Sequence, residues 1–302
     1  MLVHEVVEHL AGCRRILDGT LGGGGHAAAL LAAGAQVTGL DRDPGALGEA
    51  RARLATEEGA GRFVAVQGNH DAIDDVAVLA GATFDGILLD LGVSSHQIDA
   101  DGRGFSFRPG VRLDMRMHPG QEMDAASYLN EASETELVRT FREFGDEPRG
   151  RRMAHEVVRR RETRRFETSD DLVGVIRAVL GPRSGSPDFA RIFQAVRIAV
   201  NDELDGLARG LPLLRDRLAP GGRFAVIAYH SGEDRLVKHL FREWSTACTC
   251  PPRQPVCTCG GTALGRLVTR KAVTASEAEV AVNPRARSAH LRVWQKASGG
   301  EE

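Results

Sequence analysis

The chain has no apolar run of the ~18–20 residues that a bilayer-spanning helix needs. Its first residues, Met1-Leu-Val-His-Glu-Val-Val-Glu8, carry acids where a secretory signal carries a basic segment, so a cytoplasmic protein without a membrane is expected. Lysine is scarce: Lys238, Lys271 and Lys296 are the only three among 39 basic residues. Net charge is −2, which excludes a global attraction to nucleic acid. Five cysteines in 302 residues do not make a disulfide framework. Internal repeats are absent, and from about Ile98 to Asn201 so is any convincing strand pattern.

Hydrophobic residues make up 42% of the 302 positions, enough for one large or two modest domains with real cores. Charge is distributed unevenly. Arg149, Arg151, Arg152, Arg159, Arg160, Arg161, Arg164 and Arg165 fall in one stretch whose only acids are Glu156 and Glu162. Arg285, Arg287 and Arg292 form a second group. Each is either a solvated face or a phosphate-contacting surface.

The first 90 residues alternate strand and helix signals. Strands are read at Arg14–Asp18, Gln36–Asp41, Arg62–Gln67 and Phe84–Asp90, and helices at His26–Ala35, Pro44–Glu58 and Ile73–Ala80. This alternation implies a parallel sheet covered on both faces. Helical spacing follows, in Leu172, Ile176, Val179 and Leu180 and in Phe189, Ile192, Phe193, Val196 and Val200. The α/β pattern then resumes: a helix over Leu204–Leu218 closed by Pro220-Gly-Gly222, a strand over Arg223–Tyr229, and a helix over Asp234–Trp244. Leu267–Arg270 and His290–Trp294 read as a terminal hairpin pair. The fold class expected is α/β, one Rossmann-like sheet domain formed by residues 1–98 and 204–302. A helical insertion over 99–203 would recognise the substrate.

Asp18-Gly-Thr-Leu-Gly-Gly-Gly-Gly-His26 joins the first strand to the first helix of this pattern. Glycines at a helix N-terminus let a ligand approach the free backbone N–H groups. The run fits Gly-x-Gly-x-x-Ala from Gly22 and again from Gly23, so a nicotinamide dinucleotide is one candidate ligand. Asp18 argues the other way. A pyrophosphate would meet a like charge there, whereas S-adenosylmethionine has no phosphate and brings an ammonium. Asp41 ends the second strand, where a carboxylate can accept both ribose hydroxyls, but that suits either cofactor.

Asp90-Leu-Gly-Val-Ser-Ser-His-Gln97 follows the fourth strand, at the edge where open α/β sheets bind ligands. Methyl transfer from a sulfonium is a direct displacement, and in-line alignment can supply ~7–11 kcal/mol of its barrier. The exocyclic amine of a nucleobase is a poor nucleophile because its lone pair is delocalised into the ring. Asp90, assisted by Ser94, can accept its N–H protons and favour a localised lone pair. No metal is needed for this step. His230-Ser-Gly-Glu-Asp-Arg235 lies on the same rim; Ser231 reads either as a helix N-cap or, with His230, as a substrate contact.

At this point the chain resembles the bacterial small-subunit rRNA cytosine-N4 methyltransferases, the MraW family. The resemblance rests on the glycine loop, Gly-Leu-Asp-Arg-Asp-Pro (39–44), Asp-Gly-Ile-Leu-Leu-Asp-Leu-Gly-Val-Ser-Ser (85–95) and Arg-Gly-Phe-Ser-Phe (103–107). It extends to Leu-Asp-Met-Arg-Met (113–117), Phe-Gln-Ala-Val-Arg-Ile-Ala-Val-Asn-Asp-Glu-Leu (193–204) and Asn-Pro-Arg-Ala-Arg-Ser-Ala-His-Leu-Arg (283–292). These run in family order over nearly the whole chain. The resemblance implies S-adenosylmethionine as cofactor and N4 of a cytosine in the decoding region of 16S rRNA, in the small ribosomal subunit, as acceptor. It implies cofactor contacts at Gly24, Gly25, His26, Asp41, Asp90 and Gln97, and at His70 where the family has a stacking Phe. The chain departs from the family at Gly232, usually Leu, and begins inside the family's opening His-x-Pro-Val stretch. A cytosine must leave its stack to present N4, so Arg103, Phe105 and Phe107 are candidate RNA contacts, the two rings alternatively packing their own loop.

Cys248-Thr-Cys250 and Cys257-Thr-Cys259 enclose a Pro-rich loop. Four thiolates can make a closed, structural zinc site; reduced thiols or disulfides are the alternatives. Two other functional classes stay open from sequence: an NAD-dependent oxidoreductase, from the glycine loop, and a non-catalytic RNA-binding protein, from the arginine groups. Nothing in the sequence sets the oligomeric state.

Overall fold

Ile16, Leu17, Ile87, Leu88 and Leu89 are almost wholly buried although neighbours in sequence point to opposite sides of a strand. Strands apolar on both sides belong in the middle of a covered sheet. The computed structural model, which describes residues 1–93, 101–248, 250, 254, 258–259 and 261–299, has that sheet. Its strands are β1 (Arg15–Asp18), β2 (Gln36–Asp41), β3 (Phe63–Gln67), β4 (Phe84–Asp90), β5 (Leu218–Ala228), β6 (Gly265–Leu267), β7 (Val273–Thr274) and β8 (His290–Lys296). The order is β3-β2-β1-β4-β5-β8-β6, with β7 also on β8. The first five run parallel; β8 is antiparallel to β5, β6 and β7.

Two compact units divide the chain: Met1–Gly92 with Gly206–Glu302, and Val93–Asp205. The first holds the sheet. Ile16, Leu88, Ala225 and Ile227 pack on one face with α1 (Val3–His9) and α2 (Gly25–Ala32). Leu17, Ile87, Leu89, Phe224 and Val226 pack on the other, with Leu207, Leu211 and Leu214 and the Phe241, Trp244 and Trp294 rings. The helices α3 (Pro44–Arg53) and α4 (Ala55–Gly59) precede β3. Strand order reverses between β1 and β4, which places the carboxyl ends of both at the crevice where such sheets bind ligands.

The second unit is helical: α5 (Ala125–Glu131), α6 (Glu134–Arg139), α7 (Gly150–Arg161), α8 (Ser169–Leu180) and α9 (Ser186–Asn201). Local sequence sets several of these starts. Asp124 accepts from the Ser127 N–H, and Ser133 with Glu136 closes a capping box. Phe141, Met153, Leu172, Ile176, Ile192 and Val196 form its core. The helix α10 (Glu203–Asp216) leads back into the first unit, and α11 (Ser231–Trp244) and α12 (Glu277–Val282) complete it. Among the described residues no helix is long and apolar enough to cross a membrane.

Several element boundaries differ from the sequence expectation. The helix expected over Pro44–Glu58 breaks at Leu54, whose φ of −109° ends α3. Ile73–Ala80 is not an α-helix but falls in two short 3-10 turns, interrupted by extended Val76. Pro220-Gly-Gly222 does not precede β5 but lies inside it, between the Phe84–Leu218 and Gly86–Arg223 pairings, as an irregularity that lets a strand carry Pro. The terminal pair forms, with Leu267 opposite Trp294, but its first strand is Gly265–Leu267 rather than Leu267–Arg270.

Candidate active site

Three strands of the first unit end in an acid on one rim: Asp18 on β1, Asp41 on β2 and Asp90 on β4. The glycine loop is tied to all three. The Thr20 N–H donates to Asp18 Oδ1 (3.2 Å), the Gly22 N–H donates to Asp41 Oδ2 (2.8 Å), and the Asp90 N–H donates to Thr20 Oγ1 (2.5 Å). Gly39 opposes Asp18 in the sheet, and a side chain there would collide with Leu21, whose backbone N–H bonds Leu40 O. The tip turns through Gly22 (φ 51°) and Gly24 (φ 76°), a region that costs a side chain free energy. Gly24 is the N-cap of α2 and has no side chain to offer, so no N-cap side chain occupies the N–H groups of the first helical turn.

Asp18 is 1% exposed. Burial pushes its carboxyl up to about 7, against the single Thr20 N–H and reinforced by the charges of Asp90 and Asp41. Burial also raises Asp41, opposed by the N–H groups of Asp43 and Gly22. Burial and the like charges of its neighbours both favour the protonated form of Asp18. His70 lies beside Gly19 on the same rim, and burial with the nearby Arg42 charge pushes its imidazole down to about 4. Its ring is therefore neutral at pH 7.

Asp90 is held from two sides. The Tyr229 hydroxyl donates to Oδ1 at 2.6 Å, and His26 Nδ1 stands 3.5 Å from Oδ2. Burial, then the Asp90 charge, drives the phenol well above its ordinary range, so Tyr229 stays a donor. His26 is buried in the first turn of α2, with Nε2 2.9 Å from the Met1 carbonyl, which can only accept. Sequence reasoning did not find Tyr229. The available signal was a hydroxyl-bearing ring just past a strand that pairs in parallel with β4, where Ile227 opposes Asp90.

His230 and Ser231 follow β5. The N-cap of α11 is His230, not Ser231, and the Glu233 N–H points at its Nδ1 (3.4 Å). Its Nε2 sits 3.1 Å from Glu233 Oε1 without hydrogen-bond alignment, while Glu233 Oε2 accepts from the Tyr229 N–H at 2.8 Å. His230 and Glu233 thus brace the segment that carries Tyr229. Ser94 and Gln97 lie outside the described residues, as does Cys257; Cys248, Cys250 and Cys259 stand together in the linker after α11.

Arg103, Phe105 and Phe107 belong to the second unit. Arg103 donates to the carbonyls of Arg116 (3.1 Å) and Met117 (2.9 Å). Phe107 packs edge-on to Phe189 and Phe193, with centroids 5.9 and 6.0 Å apart, and Phe105 packs against the same core. Leu-Asp-Met-Arg-Met (113–117) is a clamp: Arg116 grips Asp114 at 2.8 and 2.7 Å around Met115, which has φ 59°. Buried Asn201 of α9 accepts from the Met117 N–H and donates to Met115 O, both at 2.7 Å. Two long motifs without cofactor chemistry are thereby joined. Much of the arginine stretch is engaged inside the unit: Arg159 and Arg160 with Glu156, Arg161 with the Leu129 and Ala132 carbonyls, Arg164 with Asp171 and Arg165 with Glu131.

Residues 1–297 match the model of the MraW methylase family. A Gemmatimonas aurantiaca protein named ribosomal RNA small subunit methyltransferase H is 60% identical over 297 residues, spanning 98% of this chain and 94% of its own length. A Heliobacterium mobile protein of the same name is 48% identical over 288 residues, 93% of this chain and 92% of its own. Among solved structures, an rRNA methylase from Streptococcus thermophilus shares 11% identity at a TM-score of 0.43, over 98% of this chain and 93% of that one. Family model and relatives agree over nearly the full length: the chain belongs to the MraW methylase family.

Proposed function

We propose that the protein transfers a methyl group from S-adenosylmethionine to N4 of a cytosine in the decoding region of 16S rRNA, on the small ribosomal subunit. The observation that carries the reading is the Asp90 carboxylate, fixed by Tyr229 and His26 at the strand-order reversal and tied through Thr20 to the glycine loop. The relatives' name supplies the RNA class.

The residues present fit this cofactor. Buried Asp18 is a receptor for an ammonium and a poor one for a pyrophosphate, which disfavours a nicotinamide dinucleotide. Asp41 would accept ribose hydroxyls, neutral His70 would stack on adenine, and Gly24, Gly25, His26 and Gln97 would line the remainder. When bound, S-adenosylmethionine supplies an electrophilic methyl on its sulfonium. Asp90 accepts an N–H of the cytosine amine, which turns the nitrogen lone pair toward that carbon, and takes the proton that nitrogen sheds once the N–C bond has formed and the C–S bond has broken. Tyr229 holds Asp90 by Oδ1, which leaves Oδ2, beside His26, to accept from the amine. Ser94 is proposed to assist as a second acceptor.

Val93–Asp205 is proposed as the RNA-recognition unit, with Arg103, Phe105 and Phe107 as contacts and His230 and Ser231 as contacts on the other unit. Phe105 is the better stacking candidate, since Phe107 spends its ring on Phe189 and Phe193. Incubation with labelled S-adenosylmethionine and unmethylated small-subunit particles tests the reading: label in 16S RNA is expected. Binding of NAD in calorimetry, with none of S-adenosylmethionine, would refute it in favour of a dehydrogenase.

A further inference from the structure

The linker from α11 to β6 carries chemistry that methyl transfer does not use. Its base is closed, with the Leu264 N–H bonded to Trp244 O at 2.9 Å and the Ala297 N–H bonded to Leu264 O at 2.9 Å. Trp244 stacks edge-on to Trp294 of β8 beneath it, 5.4 Å between centroids. Higher up, the two arms approach so closely that a side chain at Gly261 would collide with the Ala247 carbonyl. Within this closure the sulfurs of Cys248, Cys250 and Cys259 all lie within 4.8 Å of one another.

The spacing distinguishes the possible chemistries. Cys248 Sγ and Cys259 Sγ are 3.8 Å apart. A disulfide requires about 2.05 Å. A tetrahedron of thiolates around zinc, with bonds of about 2.3 Å, has edges of about 3.8 Å. Two thiols come from one arm and one from the other, so an ion would cross-link the arms. The backbone N–H groups of Thr258 and Cys259, on the opposite arm, are hydrogen-bonded to Cys250. Backbone donors of this kind support metal-bound sulfur.

We propose that Cys248, Cys250 and Cys259 bind a zinc ion that fastens the α11–β6 linker and thereby the β6 edge of the sheet. The fourth position of the tetrahedron goes to a further ligand. The ion is structural, lies apart from the acids at the rim, and displaces thiol protons to solvent on binding, so its affinity falls with falling pH.

The test uses the full chain, produced with zinc in the medium and purified without chelator. Elemental analysis is expected to find about one equivalent of zinc, and a Cys248→Ser/Cys250→Ser variant less than about a tenth, with unchanged far-ultraviolet dichroism and S-adenosylmethionine affinity. A Cys13→Ser control keeps its zinc. Removing the ion from the wild type is expected to speed hydrogen exchange at Gly265–Leu267 while β4 stays protected. Less than about half an equivalent in the wild type overturns the proposal, and so does a full equivalent in the folded double variant. If the variant does not fold, cobalt-substituted wild type decides: a thiolate-to-metal band in the near ultraviolet supports the site, and its absence refutes it.

Discussion

Asp18→Asn should stabilise the cofactor-free protein at alkaline pH while abolishing cofactor binding. Asp18 has an ordinary carboxyl pKa of 3.8 when unfolded and about 7 when folded. Between those values the folded chain holds a proton that the unfolded chain has released. Stability therefore falls as pH rises through that window, and the dependence levels off above about 7. From pH 5 to pH 8 the loss covers about two pKa units, an upper limit of about 3 kcal/mol at 1.36 kcal/mol per unit. Relaxation and entering water reduce this, so about 1–2 kcal/mol is the expected observable. Asn keeps an oxygen for the Thr20 N–H and removes the charge. Urea unfolding of wild type and variant at both pH values is the assay. The variant should gain about 1–2 kcal/mol relative to wild type on going from pH 5 to pH 8, without saturating cofactor. A difference between the two proteins that does not change with pH, to within about 0.5 kcal/mol, would refute the view of Asp18 as a buried acid awaiting a cation.

Tyr229→Phe removes a 2.6 Å hydrogen bond to the Asp90 charge. Such bonds are worth ~1.5–3 kcal/mol, and His26 remains, so single-turnover methyl transfer should slow about tenfold with cofactor affinity within about threefold; an unchanged rate would remove Tyr229 from the mechanism. Asn201→Ala leaves the Met117 N–H and the Met115 carbonyl without their buried partner. It should cost about 2–3 kcal/mol in denaturant unfolding, and a cost below about 0.5 would show that the motif clamp does not depend on it.

The parallel sheet was legible because its central strands are apolar on both faces and end in acids, as Phe84–Asp90 does. The acids at 18, 41 and 90 could be named for the same reason. Tyr229 could not, since its meeting with Asp90 depends on the β4–β5 register, a long-range property. The break at Leu54 and the two turns over His70–Leu79 escaped because residues of good helical propensity are overridden there by packing and by an extended Val76. The long family motifs could be matched but not explained: Asn201 reaches the Met115–Met117 turn from 84 positions away. His230 rather than Ser231 caps α11, an exchange that the usual preference for a hydroxyl at that position hides.

The central claim is methylation at one atom of one base. Small-subunit particles lacking the modification, treated with wild-type protein or with Asp90→Asn and S-adenosylmethionine, can be digested to nucleosides and mapped by mass spectrometry. The account predicts N4-methylcytidine in the decoding region with the wild type, and at least about a hundredfold slower formation with Asp90→Asn when both proteins are saturated with cofactor. A methyl group on another atom, or an Asp90→Asn protein as fast as the wild type, would contradict it.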